Sequence, residues 1–251
     1  MTKFLTLLTR EVKSYFCSPT AYIVLCFFLI LTGFSFYMGV SFLSRGTSEV
    51  TVVESFFDSV PFWIALILIV PPITMRVFAE EFRMGTIETL MTAPVGDWQV
   101  VLSKFAGAVV FYVVVWIPSL FYFVLFEHIT KGHAANAAGA YWGSYLLLLL
   151  VGMFFISIGC FASVLTQNQI VAAVISFSVI ALFFFAGLLA FFVPNVSPFF
   201  RDLVSYFSTL EHMGEFSKGI IDSRRLVFYG SATVLMLVLT HQVFQYRRWK
   251  A

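Results

Sequence analysis

Six long apolar blocks dominate the sequence, and more polar stretches separate them. The first block, residues 20–43, carries no charge and would be about 36 Å long as a helix that rises about 1.5 Å per residue. About 20 apolar residues in a helix are enough to cross a bilayer. The pattern predicts six transmembrane helices, at residues 20–43, 60–78, 105–126, 141–165, 170–193 and 226–244.

The residues before the first block predict a helix that lies on the membrane surface. Apolar positions recur there at three- and four-residue spacing, and charged positions fall largely on the other side. The apolar set is Phe4, Leu5, Leu8, Val12, Tyr15 and Phe16, and the charged set is Lys3, Arg10, Glu11 and Lys13. Such a helix places its basic face toward anionic lipid, and Ser18-Pro19 ends it.

The composition supports a polytopic membrane protein. Apolar residues make up 60% of the chain and charged residues 11%, with a mean hydropathy of +0.94, whereas soluble proteins have about 25% charged residues. A net charge of +2 from dispersed basic residues gives no reason to expect a nucleic-acid partner. Cys17, Cys26 and Cys160 lack the paired spacing of a zinc site or a disulfide framework.

Six spans would place both termini on one side of the membrane. Nine Lys and Arg residues fall on that side and six on the other, although Arg224 and Arg225 run against the bias. Because cytoplasmic loops carry the excess of basic residues, we expect cytoplasmic termini. The chain then forms one domain, with the interfacial helix at residues 1–18, the six-span region at 20–244 and a tail at 245–251.

Residues 71–104 form the long charged interruption in the first half of the chain. Pro71-Pro72 removes two backbone donors and disrupts the second span near its inner end. A short amphipathic helix is predicted next, ending before Pro94, and Asp97 is placed to cap the third span. The apolar face of that short helix consists of Met84, Ile87, Leu90 and Met91. The alternative is a solvated loop with an ordinary surface helix.

A second amphipathic helix is predicted between the fifth and sixth spans, at residues 203–220 on the outer face. Its apolar stripe is Leu203, Phe207, Leu210, Met213, Phe216 and Ile220. Ser208 or Ser217 should then be open to reagents from the periplasm. His212 and Glu215 are spaced to share a face, but two ligands are too few for a metal site, so we expect no metal.

The spans contain almost no ionisable residue. A carrier driven by protons or sodium keeps buried carboxylates or histidines, and the sole candidate, His241, reads as an interfacial histidine near the end of the last span. No phosphate-binding loop is present either, so an energy-supplying partner is implied. Phe183, Phe184 and Phe185 are candidate lining residues of a hydrophobic pathway, although aromatic residues in a span more often serve packing.

Three stretches resemble a known family. EEFRMGTIETLMTAPVGDWQVVLSKF is similar to the EExxxGTxExLxxxPV…K signature of ABC-2-type exporter permeases. REVKSYFCSPTAYIVL and YFSTLEHMGEFSKGIIDSRRLVFY resemble the branch that contains the gliding-motility permease and the permease of nitrous-oxide-reductase maturation.

The resemblance implies an all-helical, six-span permease of a bacterial inner membrane that has no enzymatic activity. It would pair with a second copy or a paralogous permease and bind two separate ATPase subunits, which hold ATP and Mg. The implied ATPase-coupling residues are Glu80, Glu81, Arg83, Gly85, Thr86, Ile87, Glu88, Leu90, Met91 and Pro94, and the implied connecting helix contains Arg10, Glu11, Lys13 and Tyr15. The alternative function is an ATP-independent channel or secondary carrier.

Overall fold

The computed structural model describes residues 2–44, 50–87, 95–130, 138–192 and 204–250. Within these residues the chain forms helices and no strand, in agreement with the all-helical prediction. In chain order the helices are α1 (Thr2–Phe16), α2 (Pro19–Leu43), α3 (Val52–Phe57), α4 (Val60–Thr74), α5 (Ala79–Met84), α6 (Asp97–Thr130), α7 (Ala138–Leu165), α8 (Gln169–Phe192), α9 (Thr209–Ser217) and α10 (Ser223–Lys250).

Among the described residues, five stretches are long and apolar enough to cross a membrane. They are Pro19–Leu43, Val60–Met84, Asp97–Thr130, Gly139–Leu165 and Ser223–Arg247. These coincide with the first, second, third, fourth and sixth predicted spans. The apolar part identified in α8 is shorter, Gln169–Phe185.

Helix boundaries around the charged interruption differ from the prediction. α4 ends at Thr74 instead of residue 78, and a turn separates it from α5. α6 is continuous for 34 residues and begins at Asp97, well before the predicted third span. The carbonyl of Gly96 accepts hydrogen bonds from the backbone N–H groups of Gln99 and Val100, at 2.9 and 3.2 Å. Gly96 therefore occupies the N-cap position, and Asp97, predicted there, lies in the first turn of the helix.

The helix predicted at residues 203–220 is interrupted at Ser208 in the structure: residues 204–207 and Thr209–Ser217 are helical, and Leu203 lies outside the described residues. Ser208 caps α9, because its Oγ accepts from the backbone N–H of Glu211 at 3.2 Å. The helix stops before Gly219, whose φ of 85° lies in the left-handed region. Phe216 is fully buried while Ile220, beyond that glycine, is exposed, so the predicted apolar stripe is divided.

α4 and α7 form the centre of the bundle, and glycines allow close packing there. A Cβ atom on Gly159 of α7 would lie 2.1 Å from Thr74 Oγ1 on α4. One on Gly152 would lie 2.3 Å from the Tyr112 ring on α6. Small residues let helix backbones approach closely in membrane bundles.

The outer surface of α2 is apolar and faces away from the other helices. Ile23, Ile30 and Tyr37 lie at seven-residue intervals and are 68–69% exposed. A large apolar patch of this kind is unusual on a protein in water. It matches the hydrocarbon environment that the sequence predicts.

The helices bring their termini to two ends of the bundle. The α1 end contains α1, α5, the first turns of α6 and the last turns of α10. The α9 end contains α3 and α9 with a cluster of aromatic rings, in which the centroids of Phe56 and Phe123 are 5.3 Å apart and those of Phe56 and Phe57 are 5.1 Å apart. This cluster closes the α9 end, and the described charged residues of the predicted coupling region, Glu80, Glu81 and Arg83, lie at the α1 end.

Candidate functional site

The turn between α4 and α5 is held by one hydroxyl group from α7. Ser163 Oγ accepts hydrogen bonds from the backbone N–H groups of Phe78 and Ala79, at 3.0 and 3.1 Å. It also donates to the carbonyl of Met75 at 3.2 Å. Because buried backbone groups need partners, this serine fixes the start of α5 relative to α7.

Four charged side chains join α5 to α1 and α6, and we call this set the ionic junction: Arg10, Glu11, Glu81 and Lys104. Glu81 Oε1 lies 2.7 Å from Arg10 Nη2 and 3.0 Å from Lys104 Nζ. Lys104 Nζ is also 3.2 Å from Glu11 Oε1. The Lys104 side chain is only 2% exposed, and that of Arg10 is 56% exposed. The junction therefore combines a buried cation with a solvated one.

α1 packs along α6 through the same face that carries Glu11. A Cβ atom on Gly107 would lie 2.9 Å from Glu11 Cβ, so the absence of a side chain there admits α1. The rings of Tyr15 and Phe111 stack with centroids 5.2 Å apart. Glu11 thus faces the protein, which corrects its predicted place on the solvated side of the helix.

Tyr15 also links α1 to the end of α4. Its hydroxyl donates to the carbonyl of Ile73 at 2.9 Å. Burial raises the pKa of Tyr15 well above its ordinary value, so the hydroxyl remains protonated and keeps this donor. One residue beyond the α4 C-cap, Arg76 Nη1 donates to Ser18 Oγ at 3.0 Å and connects the turn to the start of α2.

The last turns of α10 close the α1 end. Arg247 donates to the carbonyl of Leu165 and lies over the Phe82 ring of α5, 4.7 Å from its centroid. His241 stacks on Trp98 with ring centroids 4.1 Å apart. His241 lies near the end of the last span, where the sequence places it, and it is buried against this tryptophan.

α5 ends at a glycine, which changes the predicted coupling helix. Gly85 has a φ of 69°, the left-handed conformation that favours glycine at a helix terminus. Met84 is 56% exposed and Ile87 is 6% exposed. The prediction that Met84 and Ile87 share one helical face was wrong, because the helix is interrupted between them. Glu88, Leu90, Met91 and Pro94 lie outside the described residues.

The remaining predicted residues occupy several environments. Arg83 and Thr86 are exposed near the end of α5, Glu80 is half-buried, and Lys13 is exposed on α1. On α8, Phe183 and Phe184 pack into the bundle against Phe154 and Trp63, while Phe185 is exposed. The structure therefore brings Arg10, Glu11, Tyr15 and Glu81 together around α5 and places the three phenylalanines elsewhere.

Ser163 is a site residue that the sequence reasoning missed, and Lys104, the lysine of the quoted signature, was given no role there. Lys104 precedes an apolar run in the same helix, and that position is the signal that its charge needs a buried partner. Ser163 carries no such signal, because many of the buried serines in these helices bond only to their own helix, as Ser157 does to the Phe154 carbonyl.

At the α9 end, His212 and Glu215, the two residues considered as metal ligands, bond to different partners. His212 Nδ1 is 2.9 Å from the Tyr229 hydroxyl. Glu215 pairs with Arg225 at 3.5 Å, so the two side chains have separate partners. Ser208 and Ser217, which the sequence suggested as exposed, are both fully buried.

A protein-family model described as "ABC-2 family transporter protein" matches residues 47–210, more than half of the 251 residues. The chain belongs to the ABC-2 family of transporter proteins. It is therefore a multi-pass membrane permease of an ABC transporter, a component that in general works with an ABC ATPase. No curated protein matches the sequence significantly.

The family match covers only part of the ionic junction of this ABC-2 permease. Glu81 and Lys104 lie within the matched residues, and Arg10 and Glu11 lie before them. The pairing of α1 with α5 and α6 therefore joins a segment outside the family match to two segments inside it.

Proposed function

We propose that this ABC-2 permease is the membrane subunit of an ATP-driven exporter and that residues 79–94 receive movement from a separate ATPase subunit. The ionic junction carries this proposal. Glu81 ties α5 to α1 through Arg10 and to α6 through Lys104, and Ser163 ties the start of α5 to α7. A displacement of α5 is thus passed to helices that cross the membrane.

The proposed topology has six spans with both termini in the cytoplasm of a bacterial cell. The fifth span is α8, which has 24 residues and would be about 36 Å long. It begins just after Leu165, and a Cβ atom on its Gly187 would lie 2.5 Å from Ser208 Oγ beside α9. The bias of basic residues toward the terminal side supports the orientation.

In the assembled exporter, two permease subunits, either identical or paralogous, bind two ATPase subunits that hold ATP and Mg. Closure of the ATPase pair on ATP pushes residues 79–94 and drives alternating access. The sequence stretches before the first span and before the last support a place in the branch of the gliding-motility and nitrous-oxide-reductase-maturation permeases.

The experiment is co-purification of the tagged permease from its native membranes, followed by an ATPase assay. Leu90→Asp should release the ATPase, because a charge disrupts an apolar anchor worth more than about 1 kcal/mol. Leu165→Asp, at an exposed position of the same end, should retain it. Glu88→Ala should keep the complex and lower ATP hydrolysis.

Gly85 supplies a second pair of variants. Its φ of 69° costs a β-branched residue about 1–2 kcal/mol, whereas asparagine tolerates this conformation. Gly85→Val should therefore impair both assembly and ATP hydrolysis, and Gly85→Asn should impair neither. Full ATPase association and unchanged turnover in Leu90→Asp would contradict the coupling role, and absence of any ATPase from the wild-type complex would favour the ATP-independent channel or carrier.

A further inference from the structure

A cavity of about 810 Å³ opens at the α1 end beside the ionic junction. It lies between α1, the first turns of α2, the end of α4, and α5, and its volume is within the range of about 300–1,000 Å³ typical of small-molecule sites. Its polar lining includes Ser14, Ser18, Arg76, Glu80 and Glu81. The proposed coupling function does not account for this space.

The charges that line the cavity fall into two groups. The two cations and two carboxylates of the ionic junction neutralise one another. Arg76 and Glu80 remain, and neither has an ion-pair partner among the described residues, not even the other. The Nε of Arg76 is buried without an acceptor. A buried guanidinium N–H without a partner is costly, so this donor is suited to an acceptor on a ligand.

An apolar groove continues from the cavity along α2 and α4. Its volume is about 240 Å³, and its lining is almost wholly apolar: Ile23, Val24, Phe27, Phe28, Ala65, Leu68, Ile69 and Pro72. Ile23, Val24 and Pro72 line the cavity as well, so the two spaces adjoin. A charged chamber at the membrane boundary that leads into an apolar groove fits a ligand with a polar head and a hydrocarbon chain.

We infer that this composite site binds a zwitterionic phospholipid whose ammonium group carries N–H donors, namely phosphatidylethanolamine. The lipid phosphate accepts from Arg76, the ammonium group pairs with Glu80, and an acyl chain lies in the groove. One cation and one carboxylate that do not pair with each other complement the two charges of this headgroup. The bound lipid touches α1, α2, α4 and α5, and its binding does not depend on the proposed ATPase partner.

The test is native mass spectrometry of the delipidated, purified permease titrated with dioleoyl-phosphatidylethanolamine. Dioleoyl-phosphatidylglycerol, which lacks the ammonium group, and dioleoyl-phosphatidylcholine, whose ammonium group has no N–H donors, should each bind about tenfold more weakly. Glycerophosphoethanolamine supplies the headgroup without chains and dioleoylglycerol supplies the chains without a headgroup, and neither should compete at equal concentration.

Matched variants separate the head site from the chain site. Arg76→Gln should weaken the binding of phosphatidylethanolamine and of phosphatidylglycerol about tenfold. Glu80→Gln should abolish the preference for phosphatidylethanolamine over phosphatidylglycerol. Lys13→Gln, which removes an exposed α1 charge outside the cavity, should change neither. Leu68→Trp should obstruct the groove, while Ile64→Trp, on the same helix but outside the lining, should not.

Equal wild-type affinity for phosphatidylethanolamine and phosphatidylglycerol would overturn the inference, and that comparison requires no variant. Wild-type affinity in Arg76→Gln or in Leu68→Trp would overturn it as well. Effective competition by glycerophosphoethanolamine would mean a headgroup pocket without a chain site, which also contradicts it.

Discussion

Lys104 is the residue whose loss should disturb the ionic junction most. Lys104→Met keeps the length of the side chain and removes its charge, which leaves Glu11 and Glu81 facing each other with side chains only 14% and 13% exposed. Removing one partner of a buried ion pair costs about 3–5 kcal/mol. Because Arg10 still contacts both carboxylates, at 3.4 and 2.7 Å, we expect the lower end, about 3 kcal/mol.

Arg10→Met provides the matched comparison, since it removes the other cation from the same two carboxylates. Its side chain is 56% exposed, and a solvated ion pair contributes only about 0–1 kcal/mol. Thermal unfolding followed by tryptophan fluorescence in detergent should give a melting temperature about 6–12 °C lower for Lys104→Met, at about 2–4 °C per kcal/mol for a chain of this size. For Arg10→Met the decrease should be within about 4 °C.

A second variant identifies the cause. In the double variant Lys104→Met with Glu81→Gln, one uncompensated carboxylate is gone, so part of the lost stability should return. Equal effects of Arg10→Met and Lys104→Met, or a double variant no more stable than Lys104→Met, would refute the idea that a buried cation holds α5 to α6.

Three further predictions concern other parts of the molecule. Ser163→Ala leaves two N–H groups and a carbonyl of the α4–α5 turn without their partner and should cost about 2–4 kcal/mol, whereas Ser157→Ala should cost about 1 kcal/mol or less in the same unfolding assay. Burial, together with a nearby arginine, lowers the pKa of His212 to about 4. As the pH falls, the unfolded chain therefore protonates this histidine before the folded protein does. Up to about 3 kcal/mol of stability, fully present above about pH 6.5, is lost as the pH falls toward 4. Between pH 7.5 and 4.5 the stability of His212→Gln should fall less steeply than that of the wild type, and equal slopes would contradict this account. In a background without native cysteines, an impermeant maleimide should label Ile220→Cys on intact cells and Gln167→Cys only after lysis, and labelling of both on intact cells would exclude the six-span topology.

The fold could be predicted from the sequence where one strong rule applies. Uninterrupted apolar runs predicted the positions of the five stretches long enough to cross a membrane, because a helix satisfies its backbone groups within hydrocarbon. The ends of the helices depend on local contacts, and the pattern of apolar residues does not predict those contacts. Pro71-Pro72 lies within α4 instead of ending it at once, and the helix stops at Thr74 where Ser163 from α7 takes over the next backbone groups.

The site could be predicted in part, since charges in an apolar chain mark its polar surfaces. The sequence places Glu81 in the coupling region and Arg10 in the connecting helix, but nothing in it predicts a contact between residues 71 positions apart. Gly85 illustrates the same limit at short range. The periodicity from Met84 onward suggested one helix, and only the left-handed backbone at Gly85 divides it.

The ionic junction links α5 unequally to its two neighbours, and this difference bears on how movement would spread. Lys104 is buried between Glu11 and Glu81. Separating α5 from α6 would therefore leave a buried charge without its partner, which costs a large free energy. Arg10 is solvated and lies near both carboxylates, while Glu81 Oε2 is buried without a partner and remains available as an acceptor. Arg10 can therefore exchange partners at little cost. We expect a displacement of α5 to move α6 with it, while Arg10 of α1 changes its carboxylate partner. The variant that uncouples ATP hydrolysis from transport should therefore be Lys104→Met and not Arg10→Met.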